Sequence, residues 1–360
     1  MRELQVQDFL LTGKPENAAV EGLRGLAAML VLVAHYAHFV VAGEGWWNFA
    51  TTGVDLFFVL SGFVFAPYLF GRPLALLPHL VRRFFRLYPL YIAAVLLYVG
   101  LREPQATAWS EFFPHLLMAH TLGSRETAFF YNPAFWSLPP EVEFYLVLPL
   151  LALWTRRWGF PSLLATAVVL HLGIAVFEIA GEPSVSPRDI AAVHLPGVLA
   201  EFMLGAAAYV LAARLARPAA RRALALCGLA LLVVFGALFA HHYTGGPAMA
   251  NNAPVWLRGN IGFGAALGYM CLLAAASGTL QTGSPWRIRL ALYAGHLSYG
   301  VYLFHNAAQT LAGRLLPQHP DWQQALSALL MTLLVALLAH LVIEKPLRAY
   351  GRSLAKRLSG

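Results

Sequence analysis

Charge is what this 360-residue chain has least of. Only 12% of its residues are Asp, Glu, Lys or Arg, about half the share of an ordinary soluble domain. That excludes a well-solvated globular surface as the main feature of the fold. Cysteine is nearly absent too. Cys227 and Cys271 both fall in apolar stretches, without metal-like spacing and without the numbers for a disulfide framework. No basic face is continuous. The net charge of +8 comes in short clusters between apolar runs, so it does not read as a nucleic-acid surface. Residues 1–20 lack the basic start and short apolar core of a cleavable signal peptide. The first apolar run is therefore expected to be an uncleaved anchor.

What is present is hydrophobicity, 59% of the chain. Crossing a bilayer takes roughly 17–25 mostly apolar residues. Such windows occur near 24–43, 49–70, 86–102, 136–155, 160–180, 194–213, 223–243, 256–277, 291–312 and 323–343. The expected fold is an all-α polytopic transmembrane bundle of about ten spans. With a cytoplasmic N-terminus, 20 of the 25 basic residues fall on the inner side. Only Arg102, Arg125, Arg188, Arg258 and Arg314 fall outside. This positive-inside bias predicts that both termini are cytoplasmic. The expected organisation is a cytoplasmic segment 1–20, a membrane domain 21–345 and a basic cytoplasmic tail 346–360. The longest outer connector, 103–135, holds the amphipathic stretch SEFFPHLLMAHTL, too short to span.

Polar groups inside the spans are few, and intramembrane ionisable groups usually face a protein interior or a polar path. Arg24 and His35 lie eleven positions apart on the first span, on nearly one helical face and about 16 Å apart along the axis. Asp55 enters the second span, GVDLFFVLSGF, from the outer end, where it can partner His35 or simply cap the helix. In VRRFFRLYPLY, Arg82 and Arg86 are i,i+4, and Arg83 and Arg86 are i,i+3. Either pair places two guanidiniums on one face near the expected helix start, suited to phosphate. Ordinary anchoring at the inner surface explains them as well. In FWSLPPEVEFYLVLPLL, Glu141 falls in a helix first turn, as a cap or a functional carboxylate. Tyr145 shares its face and Glu143 points to the surface. Trp136 and Tyr145 suit sugar stacking or interfacial anchoring. Phe57, Phe58, Phe63 and Phe65 line an acyl pocket or face lipid. Ser298, Tyr299, His305 and Asn306 stud the ninth span, and Glu344 at the exit of the tenth awaits an arginine. His241 and His242 lack a third ligand, so no metal is expected.

Taken in order, RGLAAMLVLVAH, GVDLFFVLSGF, RRFFR, FWSLPPEVEFY, LSYGVYLFH and the closing EKP resemble the acyltransferase-3 family of integral membrane acyltransferases, over nearly the whole chain. The resemblance implies transfer of an acyl group, commonly acetyl, from cytoplasmic acyl-CoA to a hydroxyl of a cell-envelope or exported glycan. The setting it implies is the bacterial inner membrane. It assigns catalysis to His35 with Asp55 and Glu141 in support, and donor binding to Arg24, Arg83 and Arg86. The acceptor contacts Trp136 and Tyr145 remain a reading of the residues alone. One departure stands out. Family members often carry two adjacent acids after the Trp-Ser-Leu string, whereas Glu141 is followed by Val142. Some members also carry an extracellular hydrolase-like domain, which is not expected here. The competing reading is a proton-coupled transporter or flippase of a sugar-containing substrate, because buried His, Asp and Glu also build proton relays.

Overall fold

The computed structural model describes residues 17–39, 45–102, 109–123, 125–177, 187–243, 253–254, 256–257, 259–277 and 285–359. Among these residues the chain is helical and contains no strand. The N-terminal segment expected at 1–20 lies mostly outside them.

Each apolar window, where its residues are described, lies largely on a helix. In chain order these are α1 (Ala18–Tyr36), α2 (Gly53–Leu69), α3 (Leu76–Arg102), short α4 (Phe112–Leu116) and α5 (Arg125–Phe129), then α6 (Leu138–Trp158) and α7 (Phe160–Phe177). They continue with short α8 (Pro187–Val193), α9 (Leu195–Arg214), α10 (Pro218–Tyr243), α11 (Ile261–Ala276), α12 (Pro285–Leu315), α13 (Asp321–Ala339) and α14 (Lys345–Arg357). Among the described residues, six helical stretches are long and apolar enough to cross a membrane: Ala18–Phe39, Trp46–Leu69, Leu76–Arg102, Ile190–Arg214, Pro218–Tyr243 and Asp321–Arg357. Helices α7 and α11 are apolar but shorter. Helices α6 and α12 mix polar residues into their length. The molecule is an all-α, multi-pass membrane bundle.

Local chemistry sets the helix ends. Asn17 caps α1, its Oδ1 accepting from Ala19 N (3.0 Å) and Val20 N (3.4 Å). Pro139 and Pro140 open α6, where no intrahelical N–H is lost. Gly159, with φ +84°, stops it. Close packing relies on absent side chains. A Cβ at Gly62 of α2 would sit 1.7 Å from the Phe202 carbonyl oxygen of α9, and one at Gly205 of α9 would sit 1.9 Å from that of Val59. The two glycines let the backbones touch reciprocally, as small residues do between membrane helices. Gly25 of α1 packs in the same way on Ala294 of α12.

Helix α3 begins ten residues before the apolar window. Arg82, Arg83 and Arg86 therefore sit inside the helix, and the expectation that they flank its N-terminus is corrected. The segment expected as a basic tail is largely helix α14. It packs on α3, with Gly351 against the Phe85 side chain and Tyr350 edge-on to Phe85 at 5.3 Å. A π-helical turn, His340–Glu344, joins it to α13.

Candidate active site

Helices α1, α2, α3, α6 and α12 converge on a cleft. Arg24, Arg83, Arg86, Ser61, Ser137, Glu141, Tyr145, Ser298, Tyr299 and Tyr302 supply its polar lining, and Phe57, Phe58 and Phe65 supply aromatic walls. Of the eight residues given a catalytic, donor or acceptor role from sequence, five meet here: Arg24, Arg83, Arg86, Glu141 and Tyr145.

The guanidiniums are held rather than loose. Arg24 forms an ion pair with Glu21 one turn earlier on α1. The Arg83 guanidinium lies 5.1 Å from the Phe65 ring centre and 5.7 Å from that of Tyr145, within cation–π reach. Arg86 is enclosed, with the carboxylates of Glu21, Glu344 and Glu141 in its field. Glu344 is paired, as its position suggested, with Arg348 (3.0 Å) and His340 (3.0 Å). Glu141 Oε1 accepts from the Ser61 hydroxyl (2.8 Å) and from the Tyr145 hydroxyl. One carboxylate thus ties α2 to α6 at the cleft wall. The Tyr302 hydroxyl lies 2.6 Å from Ser137 Oγ and reaches the Ala134 carbonyl.

His35 is not in this cleft. It lies toward the other end of α1 and lines an open vestibule with His38, Trp47, Asn48, Asn306 and Gln309. A neighbouring recess shares His38, Asn306 and Gln309 and adds Arg102, Tyr131 and Thr310. His35 Nδ1 is 2.8 Å from the Val31 carbonyl oxygen. A carbonyl only accepts, so Nδ1 carries the proton and Nε2 presents its lone pair. The cleft and the vestibule are bridged along α12. Tyr302 lines the cleft, His305 lies 6.2 Å from it between ring centres, and His35 lies 4.8 Å from His305.

Two sequence-selected residues lie elsewhere. The Asp55 carboxyl meets Glu201 of α9 in a hydrogen bond, and no interaction with His35 accompanies it. Its Oδ1 would lie 2.2 Å from a Cβ at Gly262, so α11 passes directly over the pair. Trp136 packs edge-on against Phe58 at 6.0 Å, outside the set of cleft-lining residues. Of the four phenylalanines, Phe57, Phe58 and Phe65 line the cleft, whereas Phe63 is buried edge-on against Tyr209 at 5.6 Å.

Glu143, expected at the surface, keeps 32% of its side-chain surface exposed but is paired. It accepts from His194 Nδ1 and from Leu195 N (2.8 Å), while His194 Nε2 lies 2.9 Å from Thr121 Oγ1. This chain fastens the 109–137 connector to the start of α9. Glu201 and His305 carried a sequence signal without an assigned role, each being an ionisable group in an apolar run.

Residues 17–341 match a family model described as an acyltransferase domain. The chain belongs to this acyltransferase family. The acyltransferase-3 member shows 26% identity over a 373-residue alignment with a peptidoglycan O-acetyltransferase, OatA, of Listeria monocytogenes. That alignment takes in 92% of this chain and 56% of the relative, so the chain spans little more than half of that protein's length. No solved structure matches the chain.

Proposed function

We propose that this protein is a membrane-embedded O-acyltransferase. It moves an acyl group, expected to be acetyl, from acyl-CoA to a hydroxyl of a cell-envelope glycan. The observation that carries the reading is the division of labour along α1. Arg24 stands in an arginine-lined cleft, and His35, eleven residues on, stands with a free Nε2 at a vestibule of polar and aromatic groups. Family membership and the likeness to a peptidoglycan O-acetyltransferase support it.

In this reading Arg24, Arg83 and Arg86 take the phosphate-bearing donor, since planar guanidiniums suit phosphate oxygens. They lie at the end expected to be cytoplasmic, in a bacterial inner membrane. The phenylalanine walls accept the acyl arm. Glu141 orients Tyr145 and Ser61 beside it. At the other end Trp47, Asn48, Asn306 and Gln309 hold the acceptor sugar. His35 Nε2 removes the hydroxyl proton as the oxygen attacks the thioester carbon. The alternative in which His35 is first acylated uses the same lone pair. Asp55 acts as a structural latch with Glu201 and not as the partner of His35.

The test is transfer of radiolabelled acetyl from acetyl-CoA in membranes holding matched amounts of each variant. Wild type is expected to label a glycan fraction, and His35→Ala to lose about 10²–10⁴-fold in rate. Arg83→Ala and Arg86→Ala are each expected to raise the donor KM by about 10–100-fold, the worth of a charge-assisted hydrogen bond. Full activity in His35→Ala sinks the assignment.

A further inference from the structure

His35 has one neighbour that the proposed chemistry has not used. His305 of α12 is completely buried, its ring 4.8 Å from that of His35 at an interplanar angle of 65°. Its Nδ1 lies 2.8 Å from the Tyr302 carbonyl oxygen and 3.2 Å from that of Val301. By the same logic as for His35, Nδ1 carries the proton and Nε2 holds a lone pair. That Nε2 is shut off from solvent and has no hydrogen-bond partner. Leaving a buried acceptor empty is costly, so such a group calls for an explanation.

The surroundings hold the ring in place without satisfying it. The Tyr36 hydroxyl donates to the His305 carbonyl oxygen (2.6 Å) and meets Thr332 Oγ1 (2.8 Å). The Tyr98 hydroxyl inserts into the α12 ladder beside it, donating to the Leu303 carbonyl (3.1 Å) and accepting from Ala307 N (3.0 Å). From α1, α3, α13 and α12 itself, the titratable and hydroxyl groups around His305 are therefore His35, Tyr36, Tyr98, Thr332 and Tyr302. None of them is a carboxylate. Asp55 is taken by Glu201, and Glu141 is taken by Ser61 and Tyr145. A proton arriving on His35 has a second imidazole, and no carboxylate among these groups, to share it.

We propose that His305 is the positioning partner of His35, its Nε2 accepting a hydrogen bond from the His35 imidazolium during acyl transfer. The inference rests on the acyl-transfer reading. The acceptor O–H bond breaks as its oxygen bonds to the acyl carbon. The C–S bond breaks and its electron pair leaves with the thiolate. The proton, held between the two imidazoles, then passes to that sulfur. The Val31 carbonyl holds His35 Nδ1–H, the position a carboxylate usually takes behind a catalytic histidine, so His305 shares the proton that arrives on His35 Nε2.

Two measurements on the full chain decide it. The first is side-chain ¹⁵N spectroscopy of histidine-labelled protein in detergent micelles. The His305 Nδ1–H tautomer is expected, and its Nε2 resonance should move together with that of His35 when the sample is acidified. The other tautomer, or independent titration of the two rings, overturns the proposal. The second compares His305→Gln, whose amide oxygen restores an acceptor near the Nε2 position, with His305→Phe, which fills the space without one. At matched insertion and thermal stability, His305→Phe is expected to lose about 10²-fold in kcat with donor KM unchanged. His305→Gln should recover at least a tenth of the wild-type rate. Equal loss in both variants, or loss in neither, overturns it. Inactive wild-type protein would sink the acyl-transfer reading, and the nitrogen spectrum would still decide the pairing.

Discussion

A carboxyl group in a membrane helix needs a partner, and the partner decides what the group can do. Asp55 illustrates this. Its position on α2 made it a natural support for His35, but α9 brings Glu201 to it instead. Two carboxyls in one hydrogen bond need a proton between them, so the pair holds α2 to α9 beside the Gly62–Gly205 contact. Asp55→Asn keeps a donor for Glu201 and is expected to retain activity within about threefold. Asp55→Leu strands the Glu201 carboxyl and should cost about 1–3 kcal/mol of stability. Thermal unfolding in detergent, run alongside the transfer assay, checks both. If Asp55→Asn is stable yet inactive, Asp55 belongs to the chemistry after all. The sequence carried Glu201 in plain view, as a lone acid in LPGVLAEFMLG. What no spacing rule supplies is which of two distant acids Asp55 would meet.

At the scale of elements, hydropathy placed the helices but started α3 too late. The run LPHLVRRFFR is too charged to fall in the apolar window, yet it belongs to the helix because Pro78 sits in the first turn, where no intrahelical N–H bond is lost. The connector before α6 was legible only as amphipathic. Its histidines fold inward: His115 and His120 stack at 4.4 Å with their planes 8° apart, and both are fully buried. Burial pushes His115 down to about 4, and burial with the adjacent His115 pushes His120 down to about 3. The sign follows from linkage. Both imidazoles are neutral in the folded protein, while the unfolded chain takes up protons near pH 6.5. Their contribution is complete above that pH and is lost as pH falls toward 4 and then 3. Stability should drop by up to about 1.4 kcal/mol per pH unit for each ring in that window. Unfolding of His120→Phe, compared with wild type between pH 7 and 4, should show a shallower decline. An unchanged slope would mean that the stacked pair opens to water before unfolding.

Over the whole molecule, the sequence motifs and the bundle agree on what converges: three arginines, one glutamate and one tyrosine drawn from α1, α3 and α6. They agree because each motif lies on a single helix, whose face is readable from spacing alone. The link between cleft and vestibule was not readable, since it runs through Tyr302 and His305, which depend on how α12 packs on α1. The proposed reaction needs the two ends of that link to open on opposite sides of the membrane. The skewed distribution of basic residues predicts which side is which. In a background lacking Cys227 and Cys271, Asn48→Cys in the vestibule and Ser359→Cys after α14 report the two ends. A membrane-impermeant maleimide added to right-side-out vesicles is expected to label only Asn48→Cys, and in inverted vesicles only Ser359→Cys. The reverse pattern would invert the topology and place the arginine cleft away from cytoplasmic acyl-CoA. Labelling of both from one side would remove the need for a path through the bundle. The His35–His305 contact would then be packing between two ends that serve a single face.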